Sequence, residues 1–188
     1  MKIPKRYLLL LILSALCAFA YGSSFADNTV AMLQERGLSP VLIVIIISML
    51  PLIELRGAIP VAMLLFKMPW YEAVALSVIG NMIPIPLILL LMDWFFALIS
   101  KNSHGSRFTQ WLFARTRRKG KIIEKYEAIG ITVFVGIPLP GTGAWTGAFA
   151  ANIFGVSFWK SMLYTFLGVL IAGAIMTLLS GMGTMVLG

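Results

Sequence analysis

The sequence predicts an all-α integral membrane protein, built as an inverted repeat of a re-entrant helical hairpin followed by a transmembrane helix. Three observations predict it. First, the 188 residues are 60% hydrophobic and only 12% charged, with a mean hydropathy of +0.94. That leaves too little polar surface to cover a soluble domain. Second, two apolar stretches are interrupted by helix breakers in matching positions of the two halves, Pro51 and Pro60 in one, Pro138 and Pro140 in the other. Broken segments so placed point to a transporter-type site near the bilayer midplane. Third, a cationic loop separates the halves and orients them.

The N-terminus carries Lys2, Lys5 and Arg6 before a short apolar run over 7–20, and small residues lead to Ser24-Phe25-Ala26 before Asp27. This layout predicts a secretory signal over 1–26, cut after Ala26, with an uncleaved N-terminal anchor as the alternative. Either places the residues that follow outside. Cys17 is the only cysteine, so no disulfide within the chain can form.

The remaining residues, 27–188, read as one membrane transport domain with four apolar regions: 41–66, 73–99, 129–154 and 161–187. Between the second and third, residues 100–128 hold Lys101, Arg107, Arg115, Arg117, Arg118, Lys119, Lys121 and Lys125 against Glu124 and Glu127. Cationic loops stay in the cytoplasm. An outside start and an inside loop require an odd number of crossings, yet two apolar regions lie between them. One must enter and leave on the same face. Proline removes a helical hydrogen bond, so the expected hairpin is 41–66, with its breaks at Pro51 and Pro60. Trp70 and Tyr71 then anchor the outer interface, and 73–99 crosses inward with kinks at Pro84 and Pro86.

The second half repeats the plan with opposite orientation. Residues 129–154 form a hairpin entering from inside, Phe158, Trp159 and Lys160 sit at the inner interface, and 161–187 crosses outward. An ordered echo supports the repeat: Arg56-Gly57-Ala58 against Thr146-Gly147-Ala148, Trp70 against Trp159, Gly80 against Gly168. Bacterial inner (cytoplasmic) membrane is the expected location.

Glu54 and Arg56 are the strongest candidate site residues. A charge at bilayer depth costs about 2.5–3.5 kcal/mol, so such residues face a cavity or a partner. At i and i+2 they do not face each other on a helix. Two roles are open. Each can be neutralised by the neighbouring hairpin, locking the fold. Alternatively Arg56 takes an anionic group and Glu54 a proton or cation, since desolvation disfavours the charged carboxylate. Gly57 and Pro60 belong to the same motif. In the second hairpin Pro138, Pro140, Gly141 and Gly143 shape the turn. A half-helix beginning near Thr142 or Thr146 would aim free N–H groups at the midplane. Packing through small residues predicts the same glycines. Asn81 and Asn152 are expected to hydrogen-bond between helices. Asp93 lies toward the inner end of its span.

The paired motifs Glu54-Leu55-Arg56-Gly57-Ala58-Ile59-Pro60 and Pro138-Leu139-Pro140-Gly141-Thr142-Gly143-Ala144-Trp145-Thr146-Gly147-Ala148 resemble the small multidrug export protein family. The resemblance implies export. That family is also similar, distantly, to the DedA/VTT membrane proteins, which implies two opposed re-entrant hairpins and a role in moving or scrambling lipids and lipid-linked phosphates. This chain departs from the DedA type in having no charged residue over 138–152.

The loop's Phe108, Trp111, Leu112, Ile122, Ile123 and Tyr126 alternate with arginine and lysine, which suits a helix on an anionic membrane surface rather than nucleic acid. Hydrolytic enzyme chemistry is not expected. His104 is the only histidine, and no nucleophile elbow or zinc spacing is present. No cofactor or metal is expected. The function expected is an ion-coupled exporter, with a proton or sodium ion as coupling ion, binding a small amphipathic or lipid-linked substrate between the hairpin tips and contacting membrane lipids. A scramblase or a non-transporting assembly factor is the alternative. A homodimer suits a chain of this size.

Overall fold

Proline and glycine decide where the apolar stretches stop being helix. A computed structural model of the chain describes residues 25–99, 120–139 and 141–187, which are helical throughout, with turns between. Residues 1–24 of the expected signal or anchor over 1–26, the loop residues 100–119 with His104, Pro140 and the side chain of Asp93 lie outside the described residues.

Helix α1 spans 25–35 and was not foreseen. Ala26, Val30 and Leu33 form its buried stripe at helical spacing, while Asp27 and Asn28 face out. Gly37 ends it with φ +74, a left-handed turn that glycine adopts freely. Helix α2 (Pro40–Met49) starts with Pro40 at its first position and Ser39 as N-cap, whose Oγ accepts from the Leu42 N–H at 3.4 Å. Pro51 stops it. Over 50–53 the chain makes tight turns, with Ile53 and Glu54 N–H both donating to the Leu50 carbonyl.

Helix α3 (Glu54–Pro60) follows and packs back against α2. Contrary to expectation, Pro60 does not break the chain. The helix runs through it and continues as a π turn over Val61–Leu65, in which Phe66 N–H reaches the Val61 carbonyl. That turn also touches α2, so the two arms lie alongside each other.

Helix α4 (Trp70–Met82) bends at Ile83 into α5 (Pro84–Ile99). Pro84 and Pro86 cannot donate backwards, which accounts for the bend. Helix α6 (Gly120–Gly136) begins well inside the basic stretch expected to be loop, so Ile122, Ile123 and Tyr126 belong to the arm itself rather than to a separate surface helix. A break over 137–143 leads to α7 (Ala144–Ile153), and α8 (Phe158–Leu187) closes the chain.

Two helical stretches, Trp70–Met92 and Phe158–Met182, are long and apolar enough to cross a membrane. Both expose large apolar side chains, among them Leu87, Leu90, Leu163 and Leu178. Such a surface is costly in water and suited to lipid. Each begins with an aromatic pair in edge-to-face contact, exposed Trp70 with exposed Tyr71 at 5.9 Å and half-buried Phe158 with exposed Trp159 at 5.3 Å.

The packing partners of the two halves correspond. The first arms lie on their own long helix, α2 on α4 and α6 on α8. The second arms touch their own long helix and the opposite one, α3 on α4 and α8, α7 on α8 and α5. Close approach rests on small residues. A Cβ on Gly80 would meet the Ile45 carbonyl at 2.5 Å and Ser48 Cβ at 3.0 Å. A Cβ on Gly168 would meet Val135 Cβ at 2.6 Å and the Thr132 carbonyl at 2.8 Å. Hydroxyls tie the same pairs: Ser48 Oγ donates to the Ser77 carbonyl, and Thr132 Oγ1 to the Tyr164 carbonyl at 3.2 Å.

Candidate functional site

The site forms where the two backbone breaks meet. A broken helix leaves orphan groups on both sides: carbonyls at the end of the first arm and N–H groups at the start of the second. In lipid these must find partners inside the protein. The break over 137–143 satisfies part of the need locally. Thr142 Oγ1 donates toward the carbonyls of Ile137 at 2.8 Å and Leu139 at 2.9 Å. Thr146 Oγ1 accepts the Gly143 N–H at 2.8 Å, capping its own helix.

The first hairpin supplies the rest. Arg56 Nη1 donates to the Leu139 carbonyl and Nη2 to the Thr142 carbonyl. Nη2 also lies 3.4 Å from the carbonyls of Val135 and Ile137 and 3.2 Å from Thr142 Oγ1. The guanidinium therefore occupies the carbonyl end of α6, where a cation complements the helix dipole. Glu54 is buried, 5% exposed, and its carboxylate sits against Gly143 at the N-terminus of α7. Its Oε1 accepts the Trp145 N–H at 3.4 Å. A carboxylate at that end again matches the dipole. The two charges, two residues apart, thus bracket one break, Arg56 on its carbonyl side and Glu54 on its N–H side.

The exchange is reciprocal. Trp145 Nε1 donates to the Met49 carbonyl at 3.1 Å, so the second hairpin caps the end of α2. Glu54 is held in place at some cost. Its φ of +52 lies in the left-handed region, which costs a non-glycine residue about 1–2 kcal/mol. The positive φ turns the side chain of the first residue of α3 toward the opposite hairpin.

Of the residues singled out from sequence, Glu54, Arg56, Thr142, Gly143 and Thr146 come together here. Gly143 is required: any Cβ there would overlap the Glu54 carboxylate. Gly141 has φ +81 with open space around it, so its role is the turn itself. Pro138 lies in the break. Gly57 presses on Ile53 of its own hairpin, with a Cβ meeting Cγ2 at 2.5 Å. Pro60 sits in the helix interior beyond Arg56. Asn152 Nδ2 donates to the Leu89 carbonyl at 3.4 Å, bridging α7 and α5 as expected. Asn81 does not fit that expectation, since its amide has no hydrogen-bond partner among the described residues.

Trp145 and the carbonyls of Met49, Val135, Ile137 and Leu139 were not among the residues singled out. Trp145 was legible in part, as an indole N–H deep in an apolar segment that needs an acceptor. The carbonyls carry no side-chain signal.

Residues 54–175, about two thirds of the chain, match a family described as "Putative small multi-drug export protein". The chain belongs to this family. The match opens at Glu54, just past the first break, and spans the second break and most of α8. No curated protein and no solved structure matches the chain. Family and fold together describe a membrane protein of the small multi-drug export family with two candidate membrane-spanning helices.

Proposed function

We propose that this small multi-drug export protein is a proton-coupled exporter of amphipathic cations in the bacterial inner membrane. Its site lies at mid-bilayer between two re-entrant hairpins of opposite orientation. The inverted repeat is supported by register. Gly80 packs on Ile45 and Ser48, six and three residues before Pro51; Gly168 packs on Thr132 and Val135, six and three residues before Pro138. The cross-packing of the second arms on both long helices has the same two-fold form.

The observation that carries the mechanism is the division of labour between the two charges. Arg56 is spent on carbonyls, whereas Glu54 holds the other hairpin through a buried carboxylate against a bare glycine and the backbone N–H groups of Ala144 and, at 3.4 Å, Trp145. A proton or an organic cation can each neutralise that carboxylate, and only one at a time. Neutralisation weakens the hold on the N-terminus of α7, because the dipole attracts the charged form. The tips then part on one side of the membrane. Competition between proton and cargo for one carboxylate couples their movements, and rocking of one repeat on the other alternates access. Arg56 remains as the fixed brace.

The test uses purified protein in liposomes with an imposed proton gradient and ethidium as the cationic probe. Wild-type protein concentrates ethidium against its gradient, and Glu54→Gln does not. Full gradient-driven uptake by Glu54→Gln would overturn the reading. One observation favours a second function: both tips carry exposed leucines, Leu52 at 70% and Leu139 at 50%. Such tips suit contact with acyl chains and hence lipid scrambling. Dithionite quenching of a fluorescent phospholipid distinguishes the two, since a scramblase equilibrates leaflets without any gradient.

A further inference from the structure

Asn81 is wholly buried, and among the described residues neither its amide nitrogen nor its amide oxygen has a partner. Ser77 lies one helical turn earlier on the same face, is equally buried, and its Oγ is also unpartnered. Buried amides in folded proteins are nearly always satisfied. A serine hydroxyl can swing to a carbonyl of its own helix. The asparagine amide cannot be satisfied that way, because it offers two donors and an acceptor together.

Asn81 borders the core that both hairpin tips share. Val78 and Ile85 flank it on α4 and α5, and both belong to one core with Leu55 and Ala144, the neighbours of Glu54 and Gly143. Ser48, at the end of α2, packs on the adjacent Gly80. Pro86 has no N–H for the Met82 carbonyl, which adds a backbone acceptor beside Asn81.

We propose that Asn81 and Ser77 hold bound water at the junction of the hairpins, and that this water passes protons to and from Glu54. The inference rests on the proton reading of Glu54. The chemistry selects water over a metal cation. A cation would use only the Asn81 oxygen and the Ser77 hydroxyl, leaving both amide hydrogens bare. Water donates and accepts, so it serves every empty group. The relay is balanced: one water gives a proton to a Glu54 oxygen and takes one from the next water toward the bulk.

Two measurements test it. An experimental structure of the full chain in lipid, at a resolution that shows water, is expected to hold a non-protein peak about 2.7–3.2 Å from the Asn81 amide. Asn81 bonded directly to protein with no such peak would overturn the water site. In liposomes loaded with a pH-sensitive dye, Asn81→Leu is expected to keep its folded thermal transition and slow proton flux about tenfold or more. Asn81→Ser, which keeps a hydroxyl and leaves room for water, retains most of the flux. Wild-type flux in Asn81→Leu, or loss of flux in both variants while they stay folded, would overturn the relay. A Glu54→Gln protein with wild-type flux would remove the proton reading of Glu54, whereas the peak at Asn81 is decided separately.

Discussion

Replacing Gly143 with alanine places a methyl group on the Glu54 carboxylate. The carboxylate cannot yield inward, because Glu54 is buried and its backbone is already in the left-handed region. It must leave the N-terminus of α7. The loss includes a charge-assisted hydrogen bond, worth about 1.5–3 kcal/mol, and the favourable helix-end placement, about 0.3–2 kcal/mol. Gly143→Ala should therefore destabilise by about 2–5 kcal/mol. Glu54→Asp shortens the side chain by one C–C bond, about 1.5 Å, which is enough to clear the new methyl. Asp alone loses reach, and the double variant recovers part of what each single variant loses. Denaturant titration of the four proteins in mixed micelles gives the cycle. A coupling of about 1 kcal/mol or more toward recovery is expected, while additivity within about 0.3–0.5 kcal/mol would refute the contact.

Other outcomes follow from the same geometry. Arg56→Ala strands the carbonyls at the second break and leaves the buried Glu54 carboxylate without its neighbouring cation, which should cost about 3–5 kcal/mol, with Arg56→Lys recovering a minority of it, because a point charge cannot reach acceptors spread over 135–142; thermal unfolding checks the order. Gly80→Ala and Gly168→Ala force helices apart and should each cost about 1–3 kcal/mol, whereas Gly130→Ala, with open space around it, should be neutral or gain up to about 1 kcal/mol. Cysteines at Lys67 and Lys160 should label from opposite sides of the membrane, Lys67 outside and Lys160 inside, as a paired re-entrant topology requires; labelling from one side would exclude it.

Much of the architecture was legible because breaks in apolar segments have few causes. Pro51 and the Pro138–Gly143 stretch each stop a helix, and Gly80 and Gly168 mark where helices touch. Pro60 is not a second break: the helix runs through it into a π turn, and composition does not distinguish a proline that stops a helix from one that a helix accommodates. Helix α1 was missed because its short buried stripe of Ala26, Val30 and Leu33 was weighed as the end of a secretory signal and a polar outer segment. Glu54 and Arg56 stood out as charges in an apolar stretch, and the possibility that the opposite hairpin neutralises them was open from the start. Their partners were not readable. The acceptors are main-chain carbonyls of residues about 80 positions away, and the conformation that aims Glu54 is a backbone angle that glutamate rarely adopts.

In the proposed cycle the two hairpin tips, docked through Glu54, separate during transport. Spin labels at Leu52 and Leu139, exposed residues on the two breaks, report that separation in a Cys17→Ser background by pulsed dipolar spectroscopy. In liposomes the wild type should give a short distance at neutral pH and a second, longer population on acidification, with Glu54→Gln showing the longer one at every pH. A single unchanged distance in both proteins across that range would contradict the account.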